Sequence, residues 1–350
     1  MTHQILVYGA YGYTGGLIVN ELVKLKMHPL LSGRNEQKLI QMATKFHLNY
    51  QVVYLDDETG LRKFLEGVTL VIHCAGPFIY TSKPMIEACL ATGTHYIDIT
   101  GEFNVFDLAY GFDEKAQQAG VMLLPGAGFD VVPSDCLANE LKKLLPEADT
   151  LNLAFTTKGG RLSRGTAKTM VENVDKGHLV RKNGTLVKHP LGRLTKQIDY
   201  GLFNQLSVGI SWGDISSAYY STGISNITVF TGTDTKQLRR LKMAHRLRGI
   251  LRLGFVKKFI QKQIDKKPAG PSESSRKRSE TYLWGEALGS GSRVELRLKL
   301  PNGYSLTASA IGLITQKILN DDLKLGYQTP STAFGSDLIY EVEGSERLNY

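Results

Sequence analysis

Ile5-Leu6-Val7-Tyr8-Gly9-Ala10-Tyr11-Gly12-Tyr13-Thr14-Gly15-Gly16 is the stretch that decides the fold. A short apolar run ends on a glycine turn. A helical pattern follows from Gly16 to Lys26, with Leu17, Val19, Leu22, Val23 and Leu25 on its apolar side. The glycines are spaced GxxGxxG. Gly9 permits the tight turn, Gly12 lets backbone approach a ligand, and Gly15 lets the helix pack close to the strand. A helix N-terminus in this place offers N–H groups and partial positive charge to a pyrophosphate. The stretch predicts a strand–turn–helix that binds a dinucleotide through Gly9, Tyr11, Gly12, Tyr13, Thr14 and Gly15.

Strands and helices alternate outward from this stretch. Strands are expected at Pro29–Ser32, Tyr50–Leu55, Leu70–Cys74, His95–Asp98 and Val121–Leu124. Helices are expected at Glu36–Lys45, Thr59–Leu65, Lys83–Ala91 and Asp113–Gln118. The alternation implies parallel crossovers and an α/β, Rossmann-type doubly wound parallel sheet. The rhythm changes after Pro125. Pro133–Leu145 reads as a long helix, Thr150–Thr156 and Ile224–Phe230 as strands. Arg293–Leu300 alternates, and Pro301-Asn302-Gly303 signals a hairpin into a strand Tyr304–Ala308, before a helix to Leu319. The expected organisation is a first domain over 1–132, a second α+β domain with a mainly antiparallel sheet over 133–330, for substrate or dimerisation, and a C-terminal segment 331–350 returning to the first domain.

The end of the second strand reads Leu31-Ser32-Gly33-Arg34-Asn35. An acid there would bond the ribose hydroxyls of NAD. A hydroxyl and a guanidinium suit the 2′-phosphate of NADP(H), with Ser32 and Arg34 as its ligands. Asp56 could accept a bond from the adenine amino group, and Asp57 could cap the next helix. Cys74-Ala75-Gly76-Pro77-Phe78 puts small residues at a strand's carboxyl end, so Ala75, Gly76 and Pro77 are expected to line the cofactor.

Composition narrows the class. The net charge is +9, but residues 236–279 hold 15 Lys/Arg against Asp265 and Glu273. The high charge thus belongs to one segment, and a chain-wide nucleic-acid surface is not expected. Within 236–267, Leu247, Ile250, Leu251, Val256, Phe259 and Ile260 recur near helical spacing among Arg246, Arg248, Arg252, Lys257, Lys258 and Lys262. Two readings stay open: helices packed on the second domain with a charged outer face, or helices lying on an anionic membrane. Cys74, Cys89 and Cys136 form no CxxC pair and read as buried small side chains. The eight histidines show no HxxxH or HExxH spacing, so no metal site is expected. Met1-Thr2-His3-Gln4 carries no secretory pattern, and no apolar run is long enough to span a bilayer, which favours the cytoplasm.

Hydride chemistry asks the protein for positioning, a dry pocket and sometimes a proton donor. Tyr80, after the fourth strand, and Asp130, after Gly126-Ala127-Gly128-Phe129, are the catalytic candidates. Asp135 or Ser134 reads as a helix cap. Glu102, on the same carboxyl edge, is a candidate orienter or helix cap. Arg161, Arg164 and Lys168 beside Gly165-Thr166 could grip a carboxylate or phosphate, with Arg164, Thr166 and Glu102 as the candidate substrate contacts.

These residues carry a resemblance. GAYGYTGG at 9–16, SGR at 32–34, CAGPF at 74–78 with Pro84 and Cys89 downstream, GTHYIDITGE at 93–102 and PGAGFDVVPSD at 125–135 resemble the saccharopine dehydrogenase-like oxidoreductases, which include trans-acting enoyl reductases. The likeness covers residues 5–140 and recurs at Gly165-Thr166, Gly270-Pro271-Ser272-Glu273 and Thr329-Pro330. It departs at Arg164, where the family pattern has glycine. It implies an NADP-binding Rossmann domain, a C-terminal α+β domain and redox chemistry, in some members on lipid or polyketide-like double bonds. The expected activity is NADP(H)-dependent reduction of a C=C or C=O bond. A non-catalytic NADP(H) sensor and a peripheral membrane protein with a vestigial cofactor fold are the competing classes. Candidate partners are a small-molecule or lipid-like substrate, a membrane surface met through 236–267, and a second copy in a homodimer.

Overall fold

The computed structural model describes residues 4–173 and 177–348. Met1-Thr2-His3 and the side chains of Thr169, Met170, Glu172, Asn173 and Arg248 lie outside this description. The chain divides into two compact units: Met1–Cys136 with Gly303–Glu343, and Leu137–Asn302 with Gly344–Tyr350.

The first unit begins β1 (Gln4–Tyr8), α1 (Tyr13–Lys24), β2 (Leu30–Gly33), α2 (Glu36–Phe46), β3 (Tyr50–Val52), α3 (Glu58–Leu65), β4 (Val68–His73), α4 (Phe78–Thr92), β5 (His95–Asp98), α5 (Phe103–Tyr110), α6 (Asp113–Gln118), β6 (Met122–Leu124) and α7 (Val132–Leu144), the last crossing into the second unit. Its strands form one parallel sheet in the order β6-β5-β4-β1-β2-β3, and the two-residue strand Gly326–Tyr327 adds beside β6. Ile5, Leu6, Val7 and Tyr8 are all buried, the mark of a strand covered on both faces. Asn35 caps α2 by accepting from the Lys38 N–H at 3.0 Å, and Asp57 caps α3 by accepting from the Gly60 N–H at 2.9 Å. Order reverses between β1 and β4, so the crevice at their carboxyl ends is the topological switch point.

Three expectations change here. Tyr304–Ala308 is not a strand: Gly303–Leu319 is one helix. Leu306, Ala310, Ile311, Ile314 and Ile318 bury its apolar side, and it lies so close to α1 that a methyl on Gly312 would sit 2.8 Å from Leu25 Cδ1. The hairpin partner of Arg293–Leu300 precedes it instead, through a turn at Ser290 (φ 50°) and Gly291 (φ 80°). Residues 303–330, expected in the second domain, therefore belong to the first unit. The fourth helix starts at Phe78, five residues before the expected Lys83, and carries Pro84 inside it.

The second unit contains β7 (Thr150–Lys158), α8 (Arg164–Asn173), β8 (His178–Lys182), β9 (Thr185–His189), β10 (Thr195–Asp199), β11 (Asn204–Ile210), α9 (Asp214–Thr222), β12 (Asn226–Gly232), α10 (Thr235–Arg246), α11 (Arg248–Leu251), α12 (Gly254–Asp265), α13 (Glu273–Arg278), β13 (Glu280–Gly289) and β14 (Ser292–Pro301). The sheet runs β10-β11-β12-β7-β13-β14, with Glu346–Arg347 beyond β14 and β8–β9 branching from β12. Every described pair is antiparallel except β12–β7. Helix α7 crosses this sheet at Gly285, where a side chain would strike Leu141 and Leu137. The fold is an α/β Rossmann-type sheet plus a second, mainly antiparallel α+β unit.

Candidate active site

The β1–α1 turn is shaped by absent side chains. Gly9 has φ +82°, and a Cβ there would lie 2.9 Å from the Ala75 amide nitrogen. A Cβ on Gly15 would lie 2.4 Å from the Gly9 carbonyl oxygen. Gly9 N–H and Ala10 N–H both donate to the Ser32 carbonyl, which clips the turn to β2. Helix α1 starts on Gly12 with no side-chain cap and no acid in its first turn. Its end thus faces outward through backbone alone, the chemistry that accepts a diphosphate. The close backbone packing at Gly9 and Gly15 and the uncapped start of α1 together fit a diphosphate.

The neighbouring strand ends gather the other candidates. A Cβ on Gly33 would meet the Tyr11 ring at 2.6 Å, so Tyr11 lies over the end of β2. Lys38 Nζ stands 5.7 Å from that ring's centre. Arg34 is exposed just beyond β2, and Asp56 is exposed beyond β3. Both reach Tyr8 electrostatically: burial first, then Tyr11, pushes the Tyr8 phenol up to about 12, Arg34 opposes the rise and Asp56 adds to it. Arg34 and Lys38 are the cations that could hold a 2′-phosphate. The Ser32 hydroxyl is buried and donates to the Gln51 carbonyl at 2.8 Å, so it serves the β2–β3 link. Lys38 is a candidate missed in the sequence. Its signal was its place one helical turn after Arg34.

At the end of β4, Ala75 packs on Gly9 and the loop Cys74–Pro77 runs into α4. His73 is enclosed by the rings of Tyr8, Phe78 and Tyr96 and meets the Thr81 hydroxyl at 3.0 Å through Nε2. Burial lowers it to about 3, so it is neutral and serves packing. Burial also raises the thiols of Cys74 and Cys89 well above neutrality, which removes both as nucleophiles at pH 7. Tyr80, in the first turn of α4, is 71% exposed.

A group of carboxyls occupies the ends of β5 and β6. Glu102 is not the cap of its own helix α5. It accepts from the N–H groups of Phe78 and Ile79, each at 3.0 Å, and so closes the N-terminus of α4. Asp98 accepts from the Tyr96 phenol at 2.6 Å, the Gly126 N–H at 2.8 Å and the Thr100 N–H at 2.9 Å. Burial outweighs these bonds and holds it up at about 6. Asp130 packs against Gly101, where a Cβ would lie 2.8 Å from its Oδ2. Part of its side chain reaches the surface. Enclosure by its neighbours, with the Glu102 carboxylate, still pushes it up to about 7. The loop before it is pinned by Phe129 N–H donating to Thr307 Oγ1 at 3.0 Å. Asp98 and Thr307 escaped the sequence reading. Asp98 was signalled only by an acid ending an apolar strand.

Asp135 is buried and accepts from the Ser331 N–H at 2.7 Å, so it fastens the helix Pro330–Phe334 and does not cap α7. Ser134 Oγ donates to the Val131 carbonyl. Arg164 and Thr166 belong to the second unit. Thr166 N–H donates to Ser163 Oγ at 3.2 Å, Arg164 donates to the Asp265 carbonyl at 3.1 Å, and Lys168 pairs with the Asp265 carboxylate at 2.6 Å. Two of the three expected anion-gripping cations are thus tied to Asp265, and Arg161 is exposed. Among the described residues no group of His, Cys, Asp or Glu could hold a metal ion.

Strand order, glycine cradle and capless helix define a Rossmann-type dinucleotide-binding domain. Residues 5–124 match the model of the saccharopine dehydrogenase NADP binding domain. A saccharopine dehydrogenase-like oxidoreductase of Rattus norvegicus is 28% identical over 202 residues, 50% of this chain and 47% of that protein. A lipid droplet localized protein of Caenorhabditis elegans is 30% identical over 155 residues, 40% and 36% of the two chains. A Mycobacterium tuberculosis protein named as a candidate trans-acting enoyl reductase is 29% identical over 186 residues, 48% and 43%. The chain spans less than half the length of each of these curated relatives. In fold it is similar to apo saccharopine dehydrogenase (L-Glu forming) from Saccharomyces cerevisiae, with TM-score 0.67, 11% identity, and 99% of this chain and 100% of that chain covered.

Proposed function

We propose that the protein is an NADP(H)-dependent oxidoreductase that reduces a C=C or C=O bond of an acyl or lipid-like substrate. The observation that carries this reading is Asp130: a carboxyl on the same sheet edge as the glycine cradle, held near neutrality by enclosure and by Glu102. A carboxyl of that strength is protonated often enough at pH 7 to donate, and acidic enough to do so readily.

The nicotinamide supplies a hydride when bound. The chain's own residues do the rest. The Gly9–Gly15 backbone binds the diphosphate, Arg34 and Lys38 grip the additional phosphate, and Asp56 stands at the adenine side. Ala75, Gly76 and Pro77 line the cofactor without bulk. Asp130 gives its proton to the developing enolate or alkoxide. Glu102 holds the start of α4 in place and adds to the burial that raises the Asp130 carboxyl. Tyr80 is the second donor. Relatives named for enoyl reduction and for lipid droplets support the acyl or lipid-like class.

The test is NADPH oxidation, followed optically, with a panel of enoyl and keto acyl thioesters. Turnover that falls ~100-fold or more in Asp130→Asn with unchanged NADPH affinity is expected. Intact NADPH binding with no turnover on any member would favour a non-catalytic NADP(H) sensor.

A further inference from the structure

Residues 235–267 hold 12 Lys/Arg and a single acid, Asp265, which is already paired with Lys168. They fold as α10, α11 and α12, three consecutive helices of the second unit. Helix α12 has two apolar stripes. Val256, Ile260 and Ile264 recur every fourth residue on its covered side, and Ile264 is buried. This is the stripe by which a surface helix packs on its domain, here on α8. It does not account for Phe255 and Phe259, one turn apart, which are 71% and 62% exposed. Lys258 and Lys262, three and seven residues after Phe255, flank that outer stripe and are exposed as well. The pattern repeats upstream. Helix α10 buries no residue, and Met243, Leu247 and Ile250, at spacings of four and three, are all exposed among Arg239, Arg240 and Arg246.

A packed surface helix would turn such side chains inward. Six large exposed apolar groups — Met243, Leu247, Ile250, Leu253, Phe255 and Phe259 — within one strongly basic segment need a partner that is apolar and anionic together. A nucleic acid would answer the charges and leave the apolar groups in water. A second copy meeting the same face would bring two sets of like charge together. Among the described residues no helix is long and apolar enough to cross a membrane, so the segment would lie on a bilayer and not through it.

We propose that α10–α12 dock the protein on an anionic lipid surface. Phe255, Phe259, Leu247 and Ile250 enter the boundary between headgroups and acyl chains, while the surrounding lysines and arginines meet lipid phosphates and carboxylates. The proposal is independent of the oxidoreductase reading.

The test is co-flotation of the full chain with vesicles of phosphatidylcholine alone, and of phosphatidylcholine with about one quarter phosphatidylserine. Binding to the anionic vesicles, little to the neutral ones, and weakening as salt rises are expected. Phe255→Ser with Phe259→Ser should lower the bound fraction about tenfold, and Lys258→Glu with Lys262→Glu by a similar factor. All four side chains are exposed, so both variants should melt as the wild type does. Leu247→Ser with Ile250→Ser gives the same readout from α10 and α11. Protein that stays unfloated with both vesicle types overturns the proposal. So does flotation that ignores the apolar substitutions. A concentration-dependent dimer lost in the phenylalanine variant, or binding to a single-stranded RNA that outcompetes the vesicles, would assign the surface to another partner.

Discussion

A methyl group at Gly15 would stand 2.4 Å from the Gly9 carbonyl oxygen, a backbone atom that cannot swing aside as a side chain would. Gly15→Ala should therefore cost about 1–3 kcal/mol in chemical denaturation and weaken dinucleotide binding with it. Gly12→Ala, whose methyl would lie 3.1 Å from the same oxygen, should be milder in both. Asp130 makes a prediction in pH. Its carboxyl is raised to about 7 in the folded chain, against an ordinary value of 3.8. The folded state then holds the proton more tightly than the unfolded state. The stability this confers is complete below the ordinary value and is lost as pH climbs through 7. The melting temperature of the wild type should fall relative to Asp130→Asn between about pH 4 and pH 7. Parallel profiles would show that Asp130 is not held up in the fold.

Helix α4 is capped from a different element. Pro77, at its N-cap, offers no side-chain bond, and Glu102 from the β5–α5 link takes the first two amides. Glu102→Gln should cost about 0.5–2 kcal/mol as a weakened cap. It should also move the Asp130 midpoint to lower pH, because a nearby negative charge is removed. A midpoint that stays put would dissociate the two carboxyls. This link also marks where sequence reading ends. Asn35 and Asp57 cap their own helices from a few residues away, and their position alone announces it. Glu102 and Asp135 cap helices far off in the chain, at separations of 24 and 196 residues, and only the tertiary fold brings them there. Local pattern likewise revealed β1, β5 and α6, but read the Pro301-Asn302-Gly303 signal as a hairpin. Strand β14 instead runs through Pro301, and a helix starts two residues later at Gly303. That helix is decided by burial on α1, which the local sequence does not carry.

The first unit is made from two distant pieces of chain. Gly303–Leu319 packs on α1, and Gly326–Tyr327 extends the parallel sheet beside β6. A fragment ending at Cys136 should lack a cooperative thermal transition and bind a hydrophobic dye, because α1 and β6 lose their cover. Joining residues 303–343 to it through a flexible linker should restore the transition. If the fragment 1–136 melts cooperatively by itself, the returning segment is an accessory. In the proposed function, cofactor choice rests on the glycine turn beside Arg34, the cation assigned to the additional phosphate. Titration of the folded full chain with NADPH and with NADH, by cofactor fluorescence, tests this most directly. Saturable binding of both is predicted, tighter for NADPH, with Arg34→Glu weakening NADPH about 10- to 100-fold and NADH little. Equal losses for the two cofactors, or no binding of either by folded protein, would contradict it.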